Sequence, residues 1–221
     1  MRIENVVFDL DGTLLDTSEG IIDSVIHAVN ELDLPPLSKE TVAKFIGPPI
    51  QESFANYCNC DEKTTIIASK LFRDYYKDVT LLEAKPYDGI YDVCDKLKKA
   101  GINLAVATYK REDYALRLLN EFGFNNYCIS MHGADNDNIL RKSDILDLCI
   151  REMGGTNETT VLIGDTDHDA KGALAANTRF LAVTYGFGYK NGYKSADSNC
   201  IGVADKPLDI LEIINRINCY E

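Results

Sequence analysis

Asp9 and Asp11 stand two residues apart, directly after the apolar run Val6-Val7-Phe8. If that run is a strand, it delivers Asp9 to its carboxyl end, where open α/β sheets place their ligands, and Asp11 projects from the same side of an extended chain. Crowding two carboxylates on one point is costly unless a cation lies between them or one of them holds a proton, and either solution serves catalysis. Gly12 permits a turn that a Cβ would resist, and the Thr13 hydroxyl can satisfy a turn or cap. An isolated Asp-Gly is commonly just a turn, but the strand-end pattern recurs where Val161-Leu162-Ile163 runs into Gly164-Asp165-Thr166-Asp167-His168-Asp169. Between these acidic segments, Leu104-Ala105-Val106-Ala107 is expected to end in Thr108, a hydroxyl able to hold a phosphoryl oxygen. Arg141-Lys142-Ser143 then supplies cations ahead of a helix that Ser143 is expected to cap. Carboxylates gather a hard divalent cation such as Mg²⁺, while a hydroxyl and an ammonium bind an anionic substrate. The set suits phosphoryl transfer.

The elements that must position these groups follow from apolar periodicity. Strand-like runs at Val6–Phe8, Leu104–Ala107, Val161–Ile163 and Leu181–Val183, with a weaker one at Tyr127-Cys128-Ile129, alternate with segments of helical period before Gly101 and Gly154. That alternation predicts a doubly wound, Rossmann-like α/β fold with a parallel sheet covered on both faces. One stretch breaks it. From Thr17 to Ala84 the signals are helical: a stripe of Ile21, Ile22, Val25, Ile26, Val29 and Leu32, a stop at Pro35-Pro36, a cap at Ser38, and another at Asp61 for a helix running through Tyr76. The reading is a core of residues 1–16 and 85–221 interrupted by an all-helical cap domain of residues 17–84, with hinges punctuated at Pro86 and Gly89. Ile210, Ile213, Ile214 and Ile217 predict a terminal helix packed on the sheet.

Taken together, Asp9-x-Asp11-Gly12-Thr13, Thr108, Lys142 and the Asp165–Asp169 segment, in this order and with a helical insertion after the first, resemble the haloacid dehalogenase superfamily of phosphohydrolases over the whole chain. Within it the chain looks most like the phosphoglycolate phosphatase branch. Phe45-Ile46-Gly47-Pro48-Pro49 and Val183-Thr184-Tyr185-Gly186-Phe187-Gly188 are similar to segments of bacterial members labelled phosphatase or 5′-nucleotidase. The resemblance implies Asp9 as the nucleophile that becomes an aspartyl phosphate, and Asp11 as the acid that protonates the leaving alkoxide and then the base that deprotonates water. It implies Thr108 and Lys142 on the phosphoryl oxygens, and Mg²⁺ on Asp9, the backbone carbonyl of Asp11, Asp165 and Asp169, the last directly or through water. Tyr109 and Ser143 depart from the family, which more often has a small residue and a proline there. Lys142 is preferred over Arg141 because the helix is expected to begin at Ser143 and an ammonium is the family's usual occupant, and Asp169 over Asp167 on the family's spacing. The implied substrate is a small phosphate monoester, such as phosphoglycolate or a nucleoside monophosphate. A phosphosugar mutase of the same superfamily is the alternative, and a non-enzymatic phospho-aspartate module a distant one, since receivers carry their aspartate in mid-chain without a helical insertion.

Composition narrows the classes further. Of 221 residues, 45% are hydrophobic and 26% charged, enough apolar material for a core, and 35 acidic against 23 basic residues give a net charge of −12 that repels nucleic acid. No run approaches the roughly 20 apolar residues of a membrane span, and the charged start predicts neither an anchor nor a leader. Seven cysteines, an odd count with Cys94 and Cys149 at core-like positions, predict reduced thiols in a cytoplasmic protein. Cys58 and Cys60 lack a second zinc-type pair and read as structural. His168 is either a loop residue or a neighbour that orients the acids, and His27 and His132 are assigned to surface or packing. In the insertion, Gly47-Pro48-Pro49 opens a helix whose N–H groups either face an anion or merely start the helix, and Lys44, Tyr57, Arg73, Tyr75 and Tyr76 could select a leaving group or simply pack.

Overall fold

The computed structural model describes residues 2–48, 50–135, 139–195 and 197–219. Pro49, named above at the start of a helix, lies outside the described residues. Two compact units emerge, one of Met1–Leu15 with Pro86–Glu221 and one of Asp16–Lys85.

The first unit is built on β1 (Asn5–Phe8), followed after the second unit by α5 (Ile90–Lys99), β4 (Asn103–Arg111), α6 (Glu112–Glu121), β5 (Ser130–Ala134) and α7 (Lys142–Glu152). Then come β6 (Thr160–Gly164), α8 (Asp167–Ala175), β7 (Arg179–Val183), β8 (Cys200–Ala204) and α9 (Asp209–Cys219). The sheet runs β5-β4-β1-β6-β7-β8, with every recorded pairing parallel. β1 is wholly buried at its centre, which is why its four residues carry no charge. On one face Val7, Ala105, Ala107, Leu162, Phe180 and Ala182 pack with Ile145, Leu146 and Cys149 of α7 and Ala170 and Ala173 of α8. The alternate strand residues are buried too, and α5 lies against β4 and α9 against β8. This is the doubly wound parallel fold that apolar runs on both faces require.

Three details differ from the sequence expectation. β4 does not stop at Thr108 but continues through Arg111, past an irregularity after Ala107. The strand expected at Tyr127–Ile129 is displaced to Ser130–Ala134: Cys128 N–H still closes a turn onto Phe124 O, and Ile129 N–H donates to Leu104 O as the ladder begins. The polar residues of this edge strand are held by side chains, because Ser130 Oγ donates to Glu152 and both His132 nitrogens face carboxylates of Glu112 and Glu152. Finally, α7 begins at Lys142, and the cap is provided by Asp144, whose carboxylate accepts the Arg141 N–H at 2.8 Å. Ser143 is inside the helix.

The second unit holds α1 (Ser18–Glu31), α2 (Lys39–Ala43), α3 (Ile50–Cys58) and α4 (Glu62–Tyr75), which runs on into a π-helical turn, Tyr76–Thr80. Ser38 and Asp61 accept the N–H groups of Thr41 and Thr64 as helix caps. The buried stripe of α1 is Ile21, Ser24, Val25, Ala28 and Val29, whereas Ile26 is exposed. Gly20 lets α1 meet the π turn: a Cβ there would lie 2.2 Å from Thr80 O, and Ser24 Oγ and Thr80 Oγ1 both donate to Gly20 O. His27 stacks on Tyr75 at 3.9 Å between centroids. The short strands β2 (Leu15–Asp16) and β3 (Lys85–Pro86) pair as a separate sheet. Among the described residues no helix is long and apolar enough to cross a membrane.

Candidate active site

Parallel register brings the first unit's polar residues to one edge. Phe8 pairs with Val106 on one side and with Ile163 on the other, so Asp9 leaves the sheet between Thr108 and Asp165, each two residues beyond its strand's pairing with Phe8. The Asp9 N–H still donates to Ile163 O at 2.8 Å, which holds the residue in line with β1.

Three buried carboxylates meet there. Asp9, Asp165 and Asp169 offer oxygens that all lie within 4.8 Å of one another. Lys142, at the first turn of α7, places its ammonium 2.5 Å from Asp9 Oδ1 and 2.7 Å from Asp169 Oδ1. Its aliphatic stem crosses α8 where Gly172 has no Cβ, since one would stand 2.5 Å from Lys142 Cγ. Asp169 is fixed as the third residue of α8, its Oδ2 accepting the Thr166 N–H and hydroxyl at 3.1 and 2.7 Å. Asp165 Oδ2 accepts the N–H groups of Phe187 and Gly188 at 2.7 and 3.0 Å, while its Oδ1 is buried with no hydrogen-bond partner. Asp167 turns away to accept the Tyr189 hydroxyl, and Arg141 stays on the surface.

Charge balance follows from this geometry. Burial pushes Asp9 up to about 8 against the pull of Lys142, with Asp169 and Asp165 adding to the rise. Asp165 is pushed up to about 6 by burial and by Asp169, in spite of its two N–H donors. The ammonium of Lys142 is held charged above its ordinary value by Asp169 and Asp9, which outweigh its own burial. Three buried carboxylates against one ammonium leave an excess of negative charge around an unsatisfied oxygen, and all the donors facing it are hard oxygens. That donor set fits a divalent cation of the Mg²⁺ type.

Several neighbours carried weak or no sequence signal. Lys110 Nζ lies 3.0 and 3.2 Å from the two Asp11 oxygens, and its N–H donates to Thr108 Oγ1 at 3.1 Å. A cation two residues after Thr108 was the signal available for it. Tyr109 takes the Lys142 N–H on its hydroxyl at 2.9 Å and forms a T-shaped ring pair with His168 at 5.8 Å between centroids. The backbone donors of Phe187 and Gly188 have no side-chain signature at all.

Residues 6–183 match the family model described as haloacid dehalogenase-like hydrolase. The pyrophosphatase PpaX of Bacillus mycoides is 29% identical, with 99% of this chain and 100% of that protein covered. A 5′-nucleotidase of Pseudomonas aeruginosa is 31% identical, with 85% of this chain and 86% of that one covered. The crystal structure of a predicted phosphatase from Clostridium acetobutylicum is similar at a TM-score of 0.82 and 34% identity, covering 98% of this chain and 99% of that one. The family match takes in every residue of the acidic cluster together with its lysine, and the chain belongs to the haloacid dehalogenase-like hydrolases.

Proposed function

We propose that this phosphatase hydrolyses a small phosphate monoester by transfer of the phosphoryl group to Asp9. The observation that carries the proposal is the Lys142 ammonium shared by Asp9 and Asp169 beside the unsatisfied Asp165 Oδ1. Asp9 attacks phosphorus through its carboxylate, splitting one difficult hydrolysis into two easier steps. Thr108 and Lys142 hold the transferring oxygens, and Asp11, gripped by Lys110, serves as acid for the leaving oxygen and then as base for water. Mg²⁺ held by Asp9, Asp165, Asp169 and the Asp11 carbonyl would supply charge neutralisation on the phosphoryl group. The helical unit, residues 16–85, is assigned the part of a cap that selects the leaving group. Relatives named pyrophosphatase, 5′-nucleotidase and phosphoglycolate phosphatase support small phosphorylated metabolites as the substrate class, with phosphoglycolate or a nucleoside monophosphate to be assayed first. Free thiols at Cys58, Cys60, Cys94, Cys128, Cys149, Cys200 and Cys219 support a reducing, cytoplasmic setting.

Phosphate release from a panel of phosphorylated metabolites tests this reading. Asp9→Asn should abolish release while far-UV circular dichroism stays unchanged, and EDTA should silence the wild type reversibly. A folded Asp9→Asn protein with full turnover refutes Asp9 as nucleophile.

A further inference from the structure

The turn Gly186-Phe187-Gly188, after β7, lies against Asp165 more closely than side chains allow. A Cβ on Gly186 would stand 2.5 Å from Asp165 Oδ2 and 2.2 Å from Gly12 O, and one on Gly188 would stand 2.3 Å from Asp165 O. Neither glycine has a positive φ, so what these positions exclude is volume and not a backbone conformation. The close approach delivers the Phe187 and Gly188 N–H groups to one carboxylate oxygen, and the Tyr189 N–H to the Asp165 carbonyl at 2.8 Å. Tyr189 locks the turn from beneath: it is buried, stacks on Tyr193 and donates its hydroxyl to Asp167.

The other two carboxylates are restrained in the same sense. Asp169 has Oδ2 taken by Thr166 and Oδ1 by Lys142, and Asp9 has Oδ1 taken by Lys142. Each aspartate therefore has at least one oxygen committed to the protein, and in Asp165 the commitment is a doubly donated bond from rigid backbone. Calcium takes six to eight oxygens and accepts bidentate carboxylates, whereas magnesium demands near-octahedral geometry with single oxygens and keeps several waters.

We infer that the Gly186–Gly188 turn limits Asp165 to one free oxygen, and thereby sets the cluster's preference for a small six-coordinate cation over a larger one. The inference rests on the metal site proposed above. Gly186→Ala forces the turn off Asp165, frees Oδ2 and lets the carboxylate rotate to present both oxygens.

Thermal shifts of the EDTA-treated protein, titrated separately with MgCl₂ and CaCl₂, give both dissociation constants without reference to activity. Wild type is expected to bind Mg²⁺ at least as tightly as Ca²⁺. In Gly186→Ala, and in Gly188→Ala as an independent variant, Mg²⁺ binding should weaken about tenfold or more and Ca²⁺ binding by less, moving the ratio toward Ca²⁺. A wild type that prefers Ca²⁺, or folded variants whose Mg²⁺ to Ca²⁺ ratio is unchanged, overturns the inference while leaving the metal site standing. If neither cation shifts the wild type, the metal site itself fails and the inference with it.

Discussion

Replacing Lys142 by Met keeps an unbranched stem over Gly172 but removes the ammonium that Asp9 and Asp169 share, at 2.5 and 2.7 Å, in surroundings where the lysine is 2% exposed. Breaking a buried ion pair by removing one partner costs about 3–5 kcal/mol, because a charge stays buried without compensation. In a chain of this size each kcal/mol shifts Tm by about 2–4 °C, so the variant should melt about 6–20 °C below wild type in EDTA at pH 8. The penalty has a pH signature. Asp9 is pushed up to about 8 in the folded protein, above the unfolded value near 3.9. The folded state thus binds more protons than the unfolded one, and stability falls as pH rises between those two values. Without Lys142 to pull it down, Asp9 should rise further, but because it already binds its proton below about pH 8 in the wild type, both proteins gain stability together from pH 8 to pH 5.5 and the deficit should shrink by only about 0.4 kcal/mol. Lysine itself stays charged throughout that range and adds no slope. Differential scanning calorimetry at the two pH values decides the matter. A Tm deficit under about 2 °C at pH 8, or a wild type whose stability does not rise between pH 8 and pH 5.5, would refute the account of Lys142 as the counter-charge of the cluster.

Two further substitutions probe the packing that supports the site and the helical unit. Gly172→Ala places a Cβ 2.5 Å from Lys142 Cγ, and should cut turnover by about tenfold or more with circular dichroism unchanged, since a displacement of about 1 Å at a reacting group costs up to about a hundredfold; steady-state kinetics at saturating substrate measures this. Gly20→Ala drives a Cβ to 2.2 Å from Thr80 O and should destabilise the helical unit by about 1–3 kcal/mol, read as a lower midpoint in urea unfolding.

Asp9, Lys142, Asp165 and Asp169 could be read from the chain because each lies at a strand end or helix start, and their residue types are costly to bury without a purpose. The sheet was legible for a related reason: β1, β6, β7 and the Leu104–Ala107 part of β4 are built on short apolar runs buried on both faces, a pattern that tertiary context reinforces. β5 was misplaced because it is an edge strand whose polar residues are satisfied by Glu112 and Glu152, partners far away in the sequence. The cap expected at Ser143 lies two residues past the observed N-cap, Arg141, because the capping carboxylate is supplied by Asp144 from within the helix. The π turn at Tyr76–Thr80 left no compositional trace, since it depends on how closely Gly20 admits Thr80. Lys110 was overlooked because β4 extends beyond its apolar run, carrying a cation back toward Asp11. The grip on Asp165 was hidden because its donors are backbone N–H groups, which every residue except proline possesses.

The placement of β1 has a consequence for how the chain is made. Its hydrogen-bonding neighbours are β4 and β6, both later in the chain, so β1 has its second ladder completed only once Gly164 has been synthesised. At about 5–20 residues per second, the nascent Asn5–Phe8 segment waits on the order of 10–30 s with a bare apolar edge. Acidic residues flank it at Glu4, Asp9 and Asp11, charges of the kind that disfavour edge-to-edge pairing of an uncovered strand.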